Sequence, residues 1–98
     1  MEANLRALHQ RQPAAEALRR YDEVARLVTG SASATAEAGV EWVSKLVADL
    51  KVPGLGHYGL KREHTTELVE KASQASSMKA NPITLTTDEL AGILERAL

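Results

Sequence analysis

The chain has no cysteine and no phenylalanine, and only one tryptophan, two tyrosines and three prolines among its 98 residues. Without cysteine there are no disulfides, no thiolate nucleophiles and no sulfur-ligated metal sites, and the expected compartment is the cytosol. Aromatic side chains contribute most to a core, and only Tyr21, Trp42 and Tyr58 are available. Leucine, valine and alanine must do the filling. A thin core follows, in a chain short enough to bury a smaller share of its surface than a full-sized enzyme domain. Such a chain is expected to take a second copy of itself, as a homo-oligomer, or a missing companion chain or domain. No charge of one sign dominates either: Lys and Arg number 12, Asp and Glu 13, for a net charge of -1. Nucleic acid is therefore not an expected partner, because its recognition rests on a clear cationic excess, and the pairs Arg19-Arg20 and Lys61-Arg62 are too short to make a stripe. A membrane partner is not expected, since no apolar run approaches the roughly 18 residues of a spanning helix. The opening MEANLRALHQ lacks the positive start and apolar centre of a secretory signal.

What is present reads as helix and loop. Leu5 and Leu8 sit at helical spacing within residues 2–9, enough for two turns. Pro13 suits the first turn of a longer helix, where a missing N–H costs nothing. From there Leu18, Tyr21, Val24, Ala25 and Val28 share one face up to Gly30, a left-handed cap. A third helix is expected from Ser33 or Thr35 to Leu50, with Val40, Val43, Leu46, Val47 and Leu50 inward and Trp42 widening the buried face rather than covering an interface. Gly39 inside it costs up to about 1 kcal/mol relative to alanine, a cost consistent with close helix packing or with indifference. Pro53, Gly54, Gly56 and Gly59 mark residues 51–60 as a loop with turns. After a short turn at Lys61–His64, a helix from Thr65 or Thr66 to about Ser77 turns Leu68, Val69, Ala72 and Ala75 or Ser76 inward. Pro82 holds Asn81 out of the helical region. Thr86 then caps a final helix and forms a capping box with Glu89, while Leu90, Ile93, Leu94, Ala97 and Leu98 supply its apolar side.

No constellation of residues carries an evident reaction. His9, His57 and His64 invite a metal reading, yet no H-x-x-x-H or H-E-x-x-H spacing occurs, so no metal ligand is assigned among them. The glycines of VPGLGHYG do not match the G-x-G-x-x-G dinucleotide turn, so no cofactor-binding residue is assigned. Asp22 and Glu23 are read as ordinary i,i+4 partners of Arg26 and Arg19 rather than as acid or base. Ser76 and Ser77 have no histidine in a derivable relation to them. Tyr58 beside His57 is the most suggestive pair, without an opposing wall. No catalytic residue is assigned.

The segments VPGLGHYGLKRE and ASSMKANPITLTTDELAGILERAL, with the upstream NLRALHQRQPAAEALRRYDEVARLVTG, carry a resemblance across nearly the whole chain. Their order of elements resembles the C-terminal end of the iron-containing, or group III, alcohol dehydrogenases, a family that includes maleylacetate reductases. The resemblance implies an all-α fold akin to part of that family's helical C-terminal domain. For a full-length member it implies NAD(P), held by a glycine-rich turn in an N-terminal domain, and iron or zinc, held by Asp and His ligands. Those residues match positions upstream of Asn4, so His9, His57 and His64 do not inherit them.

The expected fold is all-α: an irregular bundle of about four main helices plus short turns, in one helical domain spanning residues 1–98 or a fragment of a larger one. Three functional readings follow. The chain is the C-terminal helical segment of such a dehydrogenase, non-catalytic alone, whether a truncation, a gene remnant or one subunit of a split enzyme. Alternatively it is a small self-associating helical binding or scaffold protein. A free-standing enzyme with an unrecognised site is the least favoured.

Overall fold

A computed structural model describes residues 1–98, all of them in helices, turns and loops. The all-α expectation holds, with five α-helices rather than four: α1 (Glu2–Arg11), α2 (Glu16–Thr29), α3 (Ala36–Asp49), α4 (Thr65–Gln74) and α5 (Thr87–Ala97). Short 3-10 turns cover Leu55–Tyr58, Arg62–His64 and Ser76–Ala80. The chain divides into two compact units, Met1–Val52 and Pro53–Leu98.

The first unit contains α1, α2 and α3. Its α1 is longer than the two turns expected, and it buries Leu5, Ala7 and Leu8 on one side. Leu8 is the only large side chain fully buried anywhere, so the core is as thin as the composition requires. Pro13 does not begin α2. Ala15 N–H donates to the Gln12 carbonyl at 3.0 Å, and this turn delays the helix to Glu16, with Ala15 extended as its N-cap. The helix ends at Gly30, in the left-handed region at φ 71°, whose N–H donates to the Arg26 carbonyl.

The crossing of α2 and α3 rests on Gly39. A Cβ added there would lie 2.9 Å from the Cβ of Ala25 and 3.1 Å from its Cα. Close helix packing is therefore the reason for a glycine inside a helix. Asp22 also departs from its expected role: rather than pairing with Arg26, its Oδ1 accepts the Ala36 N–H at 2.8 Å. That bond satisfies one of the orphan donors of the α3 N-terminus and brings a carboxylate to the positive end of the helix dipole.

Beyond the crossing, α3 departs further from expectation. Every residue from Glu41 to Leu50 is exposed, so Val43, Leu46, Val47 and Leu50 do not face inward and Trp42 does not widen a buried face. The apolar stripe is real, but the closest approach to α2 is made by Gly39 in the first half of α3, and the stripe beyond it is only partly covered, from Val43 at 38% exposed to Leu50 at 66%. The helix ends in a Schellman motif, with Lys51 N–H on the Ala48 carbonyl and Val52 N–H on the Val47 carbonyl. Lys51 is the only non-glycine residue with positive φ, at 52°.

The second unit pairs α4 with α5 over a small core of Val69, Ile83 and Leu90. Helix α4 stops at Gln74, short of the expected Ser77, because Ala75 turns extended and the chain continues as the Ser76–Ala80 turn. Asn81 is extended as Pro82 demands, and its side-chain N–H donates to the Ile83 carbonyl at 2.7 Å. The capping box forms as read: Glu89 N–H donates to Thr86 Oγ1 at 3.2 Å, and Thr86 N–H to Glu89 Oε2 at 2.7 Å. The glycine-rich loop is held by the end of α5. Gly56 N–H donates to the Leu98 carbonyl, and a Cβ at Gly54 would meet that oxygen at 2.6 Å.

Two predictions come from this geometry. Gly39→Ala gains about 1 kcal/mol of helix propensity but overpacks the crossing, a penalty of about 1–3 kcal/mol, so urea unfolding followed by circular dichroism is expected to show net destabilisation. Gly92→Ala, inside α5, meets only the Arg96 guanidinium at 3.5 Å and is expected to stabilise; equal effects at both positions would refute the tight crossing. Lys51→Gly removes the left-handed penalty at the end of α3 and is expected to stabilise by roughly 1 kcal/mol. An unchanged or lower Tm would count against the Schellman geometry.

Candidate functional site

The three histidines end up with separate partners. His9, in the last turn of α1, places Nε2 3.2 Å from Glu37 Oε1 in the first turn of α3, and both side chains are exposed. The backbone N–H of Glu37 itself and the Thr35 side chain hold the Glu37 carboxyl below the usual carboxylate range, with a smaller contribution from His9. Because that shift is downward, its stabilisation is present above the ordinary carboxylate range and is lost as pH falls through the lowered value. Glu37 thus helps to hold the start of α3, as Asp22 does from the other side.

His57 and Tyr58 lie in the glycine-rich loop with ring centroids 5.1 Å apart at 88°, an edge-to-face contact. Tyr58 is 72% exposed, so the pair stands at the surface with no opposing wall. His64 Nδ1 accepts the Lys61 N–H at 3.1 Å, and its Nε2 lies 3.7 Å from Glu63 Oε1. Nowhere do three His, Asp or Glu side chains converge as a metal site requires.

The remaining polar candidates resolve into local structure. Arg19 pairs with Glu23, as its spacing suggests, and also with Glu16 at 2.5 Å. Arg19 lowers the Glu16 carboxyl, and Lys71, 2.5 Å away, lowers Glu67 in the same way. These are exposed helix-surface pairs that sit outside any cleft. Ser76 and Ser77 are exposed in the turn after α4. Two shallow depressions occur in the second unit. One, of about 300 Å³, lies between α4 and α5 and is edged by Thr65, Thr66, Ser73 and Thr87. The other, of about 200 Å³, is lined by Met78, Ile83, Leu85 and Leu90. Neither contains a buried side-chain polar atom without a partner.

One residue of consequence escapes a sequence reading altogether. Asp22 holds the start of a helix 14 positions away, and a contact at that separation leaves no local spacing signal; the nearby arginines suggest ion pairing instead.

The fold is all-α, and these contacts are local caps, turns and surface pairs. Over residues 2–98 the chain matches the family described as Fe-containing alcohol dehydrogenase family, C-terminal. No curated protein and no solved structure matches it. With the match extending over essentially every residue, the chain belongs to the Fe-containing alcohol dehydrogenase family, as its C-terminal part.

Proposed function

We propose that the chain is the C-terminal helical segment of an iron-containing alcohol dehydrogenase-type oxidoreductase of the cytosol, supplying framework and no catalytic group of its own. The observation that carries this reading is the family match over residues 2–98. In a complete enzyme of this kind a bound metal would supply Lewis-acid polarisation of the substrate oxygen and a nicotinamide would supply hydride chemistry. The residues present here do not fit that metal. His9 has one carboxylate beside it, His64 has given Nδ1 to a backbone N–H, and His57 packs against Tyr58. They do not fit a nicotinamide either: Gly54 and Gly56 of the 51–60 loop accommodate the Leu98 carbonyl, and Gly59 serves a left-handed turn at φ 89°. No step of the reaction is therefore assigned to this chain.

Supporting roles remain for its residues. The capping box at Thr86, the Asn81 to Ile83 bond and the Leu98 contact with the loop fix the geometry of the second unit. They make it a rigid piece for other parts of an enzyme to build on.

The test is titration of the purified chain with Fe²⁺, Zn²⁺, NADH and NADPH, following Trp42 fluorescence and heat, together with an assay for alcohol oxidation. No saturable binding and no turnover are expected. Mixing with a polypeptide that carries the family's glycine-rich turn and metal ligands is expected to give a complex. Stoichiometric metal binding that is abolished by His9→Ala would overturn the reading and place a metal site in this chain.

A further inference from the structure

The turn that leads into α4 is closed by one histidine from both directions. The His64 N–H donates to the Lys61 carbonyl at 3.0 Å, and the Lys61 N–H donates to His64 Nδ1 at 3.1 Å. A backbone N–H can only donate, so Nδ1 must be the bare nitrogen of the ring and the proton of the neutral imidazole lies on Nε2. The second bond therefore exists only while His64 is neutral. An imidazolium carries protons on both nitrogens, and a proton on Nδ1 would face the Lys61 N–H head on. The side chain is 43% exposed, so solvent protons reach it.

The surrounding charges offer the protonated ring a different position. Glu63 Oε1 lies 3.7 Å from Nε2. On α4, three residues on, the Glu67 carboxyl is held below its usual range chiefly by Lys71 and to a lesser degree by the charge of His64. The cations of this region stand beside the same carboxylates: Lys61 Nζ is 4.0 Å from Glu63 Oε1, and Lys71 Nζ is 2.5 Å from Glu67 Oε1. Arg62 is the remaining cation of the turn. Across from the start of α4, α5 presents Thr87, which bears no charge. His64 is also the N-cap residue of α4, and the helix dipole disfavours a cation there. Protonation thus removes the bond that holds the ring against Lys61 and leaves two carboxylates as its partners.

We infer that His64 is a two-position proton switch for the 61–64 turn: neutral, it closes the turn on the Lys61 N–H; protonated, it leaves that bond for the carboxylates of Glu63 and Glu67. The element it controls is the junction between the segment carrying His57 and Tyr58 and the first turn of α4. Because the closed form needs the neutral ring, the bond is present above the histidine range and lost as pH falls through it. The inference concerns the second unit alone and is independent of the framework role proposed above.

The test is NMR of the whole chain at about pH 8 and about pH 5, on either side of the histidine range. At the higher pH the ring nitrogens of His64 are expected to report the Nε2–H tautomer, with exchange of the Lys61 amide slowed relative to its intrinsic rate. At the lower pH that protection is expected to fall roughly 2- to 10-fold, the ratio one net hydrogen bond accounts for. The Leu90 amide, which donates to the Thr86 carbonyl within α5, is expected to keep its protection. His64→Gln, which does not titrate, is expected to give the same Lys61 protection at both pH values. Glu63→Gln combined with Glu67→Gln removes the second position and is expected to keep Lys61 protected to lower pH. An Nδ1–H tautomer at about pH 8 would overturn the proposal. So would equal Lys61 protection at the two pH values, a His64→Gln chain that keeps the original pH response, or a double carboxylate variant that responds as the original chain does.

Discussion

Everything in the first unit depends on how closely two backbones can approach at one point. Where α2 and α3 cross, Ala25 faces Gly39, and there is no space for one more carbon. That contact uses the smallest side chains available, which suits a chain with three aromatic residues and no phenylalanine. Small residues bury little area each, so the gain must come from proximity rather than bulk. Proximity requires the helix to start in the right place, and Asp22 supplies that by accepting the Ala36 N–H across the crossing. Glu37 and Thr35 complete the same turn. The crossing and the held N-terminus act together: three residues after Ala36 on α3, and three after Asp22 on α2, the two helices touch.

The price of that solution is paid at the far end of α3. A close contact made near the N-terminus of the helix leaves the apolar stripe beyond it only partly covered. Periodicity alone cannot distinguish an apolar face that meets its own chain from one that does not, because both have the same spacing. This is why the stripe Val43, Leu46, Val47, Leu50 reads as core in the sequence and stands exposed in the structure. The same ambiguity explains Trp42, which a sequence reading assigns to a widened buried face.

Legibility elsewhere follows how local the controlling contact is. The capping box Thr86–Glu89, the left-handed Gly30 and the extended Asn81 before Pro82 are each decided within a few residues, and each appears as read. Pro13 shows the limit of local rules: its ring is compatible with a helix start, but a competing turn closed by Ala15 on Gln12 takes precedence. Helix α4 ends early for a similar reason, since Ala75 adopts an extended conformation that its own propensity does not announce. Asp22 lies at the other extreme, where a nearby arginine supplies a plausible local partner and the actual one is far along the chain. Of the candidate site, the pairing of His57 with its neighbour Tyr58 was legible in the sequence, whereas the contact of His9 with Glu37, 28 positions away, was not.

The histidines also show that family membership is carried by features other than a cluster of polar side chains. Membership is carried by loop punctuation and helix order, features that set a framework and tolerate many side chains on its surface. Chemistry would need side chains converging on a point, and convergence is costly: it desolvates charged groups and must be maintained by surrounding packing. A core whose only fully buried large side chain is Leu8 has little packing to spend on such a centre. Its polar groups are therefore committed to caps and surface pairs, where water shares the cost.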